Sequence, residues 1–283
     1  MPLSYAGAVI STCLSDGRAE IESGVDGLRA AVGVDGVAVL TIDRPEKRNA
    51  VTLAMWRALP GLLGGLAHDP RVRVLMLTGS GGTFSAGADI AELLHVYGDP
   101  ERADAYHATN VAAEEALAAF PRPTIAAIAG ACVGGGCQLA VACDLRLADS
   151  GARLGITPAK LGVVYPAVPA ARLVRLVGPA RAKYLLFSAD LVSADRAAQF
   201  GLVDEVVADG GLAERALAFA RTIAGRSPQT LGAVKDVVNA VAAGADPQAA
   251  IEPWERRSRY SPDVREGLAA FVERRQPVFP PLG

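Results

Sequence analysis

Two glycine-rich turns constrain this chain more than any other feature. The buried-strand pattern Val72-Arg-Val-Leu-Met-Leu-Thr-Gly79 runs through a glycine-rich stretch into Phe84-Ser85-Ala86-Gly87-Ala88-Asp89. A second apolar strand, Thr124–Gly130, runs into Gly134-Gly135-Gly136-Cys137-Gln138. Each turn opens a helix, so each leaves backbone N–H groups unpaired beside the positive end of a helix dipole. Such turns suit an anion. Neither fits the dinucleotide pattern G-x-G-x-x-G, and neither carries the Gly-Lys-Ser/Thr of a phosphate-binding P-loop. Thr83-Phe84-Ser85-Ala86-Gly87 approaches a serine nucleophile elbow, but Thr83 stands where that motif needs glycine. His95 and His107, the only histidines after Ser85, follow it too closely for a hydrolase triad. Glycines serving only close helix–strand packing would explain one turn more readily than two. One N–H from each turn, converging on a single oxygen, makes an oxyanion hole for charge developing on a carbonyl.

The rest of the chain fits an α/β enzyme. A hairpin signal at Val34-Asp35-Gly36 divides two apolar runs, and an amphipathic helix is expected from Thr52. A short helix is expected near Ile90–Tyr97, a long one over 103–120 ending before Pro121 and Pro123, and a glycine loop followed by a helix within 131–143. Further short strands fall at 144–150, 153–157 and 202–207. From Pro169 the pattern is mostly helical, through 179–188, 194–200, 212–223, 230–241 and 263–275. Residues 1–26 read as an irregular extension, 27–205 as the α/β core and 206–283 as a helical C-terminal region.

Composition narrows the class. The 283 residues are 51% hydrophobic but only 5% aromatic, with 30 glycines, so the core is built from small and aliphatic side chains. A formal charge of −2 gives no general attraction to nucleic acid or to an anionic membrane. Cys13, Cys132, Cys137 and Cys143 match no zinc spacing and read as buried thiols in a reducing cytoplasm. No basic n-region marks a signal peptide, and no apolar run of spanning length occurs, so a cytoplasmic protein is expected.

Several motifs in one order carry a resemblance over about residues 27–279. They are Arg44-Pro-Glu-Lys-Arg-Asn-Ala50, Phe84–Ile90, Gly130-Ala-Cys-Val-Gly-Gly-Gly-Cys137, Cys143-Asp144, Gly201-Leu-Val-Asp204, Arg265-Glu-Gly267, Ala270-Phe271 and Glu273-Arg-Arg275. The sequence resembles the crotonase superfamily, the enoyl-CoA hydratases and isomerases. The resemblance implies an α/β fold, a spiral of ββα units with a helical trimerisation region, and a homotrimer or hexamer. It implies no prosthetic group; coenzyme A enters as part of the thioester substrate. It also implies that the thioester oxygen lies between the N–H groups of Ala88 and Gly135 while an enolate forms. Lys47, Arg48, Ala50, Ala86, Asp89 and Ile90 match the cradle of CoA, and Lys47 and Arg48 are placed to neutralise phosphates. Phe271 and Arg274 match positions that reach CoA from a neighbouring subunit.

The chain departs from the family pattern where proton transfer is concerned. Gln138 and Pro158 stand where orthodox hydratases carry their two glutamates, and neither residue moves a proton. Isomerase or decarboxylase chemistry is therefore expected ahead of orthodox hydration. The stretch Ile156–Tyr165 resembles methylmalonyl-CoA decarboxylases, in which a tyrosine at the place of Tyr165 meets the substrate carboxylate; those enzymes carry histidine at position 88. An isomerase needs one base, with Glu92, His95, Asp104, His107, Glu114 and Glu115 as candidates. Two further readings are a silent CoA-binding member and a hydratase with non-standard acid and base.

Overall fold

A computed structural model describes residues 19–280; Cys13 and most of the stretch expected to be irregular lie outside them. Strand β1 (Ala19–Ile21), within that stretch, pairs antiparallel with β2 (Leu28–Val32), which forms the expected hairpin with β3 (Val37–Ile42). Then follow β4 (Val74–Gly79), β5 (Thr124–Ile128), β6 (Ala131–Val133), β7 (Leu145–Asp149), β8 (Arg153–Gly155), β9 (Val192–Ser193) and β10 (Glu205–Val207). The main sheet has seven strands in the order β1-β2-β3-β4-β5-β7-β10, parallel from β3 onward. A smaller sheet, β6-β8-β9, lies beside it. Ala131–Val133, in the stretch expected as a glycine loop and a helix, is a strand: β6 pairs with β8, and the helix begins at Gly135.

The helices are α1 (Leu53–His68), α2 (Ile90–Val96), α3 (Pro100–Ala118), α4 (Gly135–Ala142), α5 (Pro158–Leu161), α6 (Ala167–Val177), α7 (Pro179–Ser188), α8 (Ala194–Phe200), α9 (Leu212–Ala224), α10 (Pro228–Ala242), α11 (Pro247–Ser258) and α12 (Pro262–Glu273). Local signals set their starts. Thr52 accepts a bond from Met55 N and so begins α1. Asp99 caps α3 with Pro100 at its first position, three residues earlier than the apolar pattern suggests. Helix α11 falls between the expected helices at 230–241 and 263–275, where none was expected, and it holds Pro253 inside it.

Burial on both faces explains why the central strands read as unbroken apolar runs. Alternate residues of β3 point opposite ways. Val37 and Val39 join Met76, Ile125 and Leu147 against Leu212, Ala216 and Ala220 of α9. Leu40 and Ile42 join Leu77 and Ile128 in a larger core with Met55, Trp56, Leu63 and Leu117. The first helix of the C-terminal region therefore packs directly on the sheet. Two recognised motif residues hold the layers together. Asp144 Oδ2 accepts from Thr124 N (2.8 Å) and from Lys235 Nζ (2.8 Å) on α10. Asp204 Oδ2 accepts from Arg146 N (2.7 Å) and Nη2 (2.9 Å).

Candidate active site

The two turns meet. Ser85 N donates to Ala131 O and Val133 N to Ser85 O, so the first turn lies along β6 just before the second turn begins. Val51 N donates to Gly87 O and Asp89 N to Val51 O, which pins the first turn on either side of Ala88. Gly134 has φ 52° and ψ −118°, a conformation open to glycine alone, and it starts α4. At Gly87, φ is 100°, and a Cβ there would stand 2.7 Å from Val133 O and 3.3 Å from Gly135 N. A Cβ on Gly135 would stand 3.5 Å from Ala88 N and 3.0 Å from the Trp56 ring. Ala88 N and Gly135 N are thus neighbours, and neither donates to a protein acceptor among the described residues.

These two residues open on a cavity of about 100 Å³, room for an acyl group of a few carbons. Its polar lining comes from Tyr97, Tyr106, His107, Asn110, Gln138, Thr157 and Tyr165, with Pro158 and Leu161 closing one side. Gln138 and Pro158, the two positions marked by their departure from the glutamate pattern, both face this space. Ala86, Ala88, Ile90, Gly135 and Tyr165 also line it.

Of the six candidate bases, His107 alone is in the lining. Its Nε2 lies 2.8 Å from Tyr97 Oη. Glu92 accepts from Leu53 N (2.6 Å), and His95 accepts from Arg102 (3.1 Å). Asp104 and Glu115 are exposed. Glu114 is fully buried behind the wall, where one oxygen pairs with Arg172 and the other accepts from Gln138 Nε2 (2.9 Å). Sequence spacing carried no signal for that pair, since Glu114 and Arg172 lie 58 positions apart.

The proposed CoA-cradle residues divide. Lys47 and Arg48 are exposed on the loop after β3, and Arg48 O accepts from Ala86 N (2.8 Å), tying that loop to the first turn. Ala50 is half-buried in the same loop, and its carbonyl accepts from Arg44 Nη1 (2.7 Å). Asp89 is occupied structurally: it caps α2 at Ala91 N (3.1 Å) and pairs with Arg44 (3.1 Å). Burial would raise its pKa, but these bonds outweigh it and hold the carboxyl below its usual range. Phe271 and Arg274, on and just after α12, lie outside the cavity lining; Phe271 is 84% exposed.

Burial pushes the Tyr165 phenol far above its ordinary value, with the Cys137 thiol adding to the effect. Burial likewise pushes Tyr106 up to about 12. Both phenols are therefore neutral at any ordinary pH. Because folding raises these pKa values, their contribution to stability is complete below about pH 10, the unfolded phenol's value, and fades as pH rises through the folded values. In an alkaline titration followed by phenolate absorbance and circular dichroism, Tyr106 and Tyr165 are expected to ionise only as the chain unfolds. Loss of absorbance from a step near pH 10 in Tyr165→Phe, with the fold intact, would contradict this.

Residues 33–281 match the family described as enoyl-CoA hydratase/isomerase. The chain is 37% identical over 249 residues to a Thermus thermophilus protein that carries an enoyl-CoA hydratase name, covering 86% of this chain and 97% of that one. It is 33% identical over 243 residues to the short-chain-enoyl-CoA hydratase of Clostridium acetobutylicum, covering 85% and 92%. Among solved structures, the enoyl-CoA hydratase/carnithine racemase of Magnetospirillum magneticum superposes with a TM-score of 0.86 at 32% identity, covering 95% of this chain and 98% of that one. The glycine turns, the fold and these matches agree that the chain belongs to the enoyl-CoA hydratase/isomerase family, the crotonase superfamily.

Proposed function

We propose that this chain binds a short acyl-CoA thioester with its carbonyl oxygen between Ala88 N–H and Gly135 N–H, and relocates a proton through the resulting enolate. One observation carries the reading: two unpartnered N–H groups from adjoining turns open on a cavity whose titratable lining is one histidine and three tyrosines. When the α C–H bond breaks, its electron pair delocalises onto the thioester oxygen and its proton passes to His107. The Tyr97 bond occupies His107 Nε2 and leaves Nδ1 to take that proton. Return of the proton to the γ carbon of an enoyl chain completes a double-bond shift. Imidazole is the side chain most often used for such proton transfer. Tyr165, neutral and in the same wall, donates a hydrogen bond without exchanging charge. This lining supports isomerisation ahead of hydration by paired glutamates.

Lys47 and Arg48 then meet the CoA phosphates, and the exposed Phe271 and Arg274 reach CoA held by a neighbouring subunit of a trimer or hexamer. Exchange of the α protons of butyryl-CoA in D₂O tests the core of the proposal, with conversion of 3-enoyl-CoA to 2-enoyl-CoA as the full reaction. His107→Gln is expected to slow both about 10²-fold with little change in KM. Unchanged exchange in His107→Gln would remove that residue from the mechanism. Hydration of crotonyl-CoA at an ordinary enzymatic rate, about 1–10³ s⁻¹, would favour hydration with a non-standard acid and base. No turnover of any thioester would leave the silent, CoA-binding reading.

A further inference from the structure

The buried Glu114 has a consequence for what the cavity admits. Its carboxylate, paired with Arg172, can only accept hydrogen bonds. Gln138 must therefore turn its amide nitrogen toward it, because the opposite orientation would set carbonyl oxygen against carboxylate oxygen. Gln138 Nε2 spends one hydrogen on Glu114 Oε2 (2.9 Å) and the other on Asn110 Oδ1 (2.6 Å). That second bond fixes Asn110 in turn, since its flipped form would face amide nitrogen with amide nitrogen. Two polar atoms are left over, the Gln138 carbonyl oxygen and the Asn110 amide nitrogen.

Both residues are more than nine-tenths buried, and both line the cavity. Neither leftover atom has a protein partner among the described residues. Nor does either belong with the sealed, unpartnered side-chain atoms, which are Trp56 Nε1, Arg73 Nε, Tyr106 Oη and Arg146 Nε. Gln138 Oε1 and Asn110 Nδ2 therefore open on the cavity, one as acceptor and one as donor. A hydroxyl satisfies both at once. A carboxylate satisfies the donor but meets the carbonyl oxygen, and it brings a charge into a lining that holds no lysine or arginine among the described residues.

We infer that Glu114 is a positioning residue that, through the Gln138 and Asn110 amides, selects acyl groups bearing a hydroxyl and turns away those bearing a carboxylate. This rests on the acyl-CoA reading above and narrows it to a substrate class. It also sets malonyl-type thioesters aside.

Calorimetric titration of the full chain with butyryl-CoA, 3-hydroxybutyryl-CoA and malonyl-CoA tests it. Relative to butyryl-CoA, the hydroxylated thioester is expected to bind about tenfold tighter and the carboxylated one about tenfold weaker, the scale of one buried hydrogen bond gained or opposed. In Glu114→Gln the neighbouring amides are free to turn, and the roughly hundredfold span between the two should fall below tenfold. A generally loosened fold would weaken all three ligands together and leave that ratio in place. If Glu114→Gln does not fold, Gln138→Met carries the same expectation. Malonyl-CoA binding as tightly as 3-hydroxybutyryl-CoA, or a span unchanged in the variant, overturns the inference. Failure of butyryl-CoA itself to bind the unaltered chain instead overturns the acyl-CoA reading, and this inference falls with it.

Discussion

Replacing Gly135 by proline is expected to cut α-proton exchange of butyryl-CoA about 10³-fold. The substitution deletes one of the two N–H donors while leaving the backbone in a position where proline is otherwise tolerated, the first residue of a helix. Loss of a single oxyanion-hole donor costs about 10²–10³ in rate, and the remaining Ala88 N–H cannot stand in for both directions of approach. Two other effects must be separated from this one. A Cβ at 135 would press on the Trp56 ring at 3.0 Å, and proline restricts the unusual backbone of Gly134 before it. Gly135→Ala serves as the control for the first, since it adds the same Cβ and keeps the N–H; its exchange should stay within about tenfold of the unaltered chain. Thermal unfolding of both variants accounts for the second. Exchange in Gly135→Pro equal to that in Gly135→Ala would show that this N–H does not hold the enolate.

Much of this arrangement was readable from the chain because it depends on neighbours in sequence. An apolar run ending in glycines announces a strand that feeds a helix, so both turns could be read before any fold was known. Ala88, Gly135, Gln138 and Pro158 were singled out by the family resemblance and not by that local pattern. Short elements were harder. Ala131–Val133 is a strand only because β8 lies alongside it, and β1 exists only through its pairing with β2. Helix α11 keeps its shape despite Pro253, with Trp254 packed near Gly232 of α10 and its indole N–H bonded to Asp236 (2.8 Å). Tertiary packing overrode the local signal there. The choice among six candidate bases lay beyond sequence altogether. His107 and His95 are both on or beside polar helix faces, and which one meets the cavity depends on how α2 and α3 cross. The coupling of Glu114 to Arg172 is of the same kind, fixed by the approach of α3 to α6.

Asn49 joins stability and site most directly, and Asn49→Ala is expected to lower stability by about 4 kcal/mol. Its side chain is fully buried. Nδ2 donates to Ser80 O (2.8 Å) and Thr83 O (2.6 Å), and Oδ1 accepts from Arg44 N (2.9 Å). One amide thus ties the loop after β3 to the glycine-rich loop that leads into the first turn. Its own carbonyl accepts from Ser85 Oγ (2.7 Å), which in turn accepts from Gly87 N (3.1 Å). Alanine would leave Thr83 O and Arg44 N without a partner among the described residues, at about 1 kcal/mol or more each, and would strip Ser80 O of the stronger of its two bonds. It would also have to hold φ 57°, a left-handed conformation that asparagine tolerates and alanine resists by about 1 kcal/mol. For a chain of this size the loss corresponds to a fall in Tm of about 10 °C. The functional effect should exceed what unfolding explains. At a temperature where the variant is folded, CoA thioester binding should still weaken several-fold, because Arg48 and Ala86 are joined through this loop. A Tm within 3 °C of the unaltered chain, or thioester affinity unchanged in the folded variant, would show that the loop keeps its shape without the Asn49 amide.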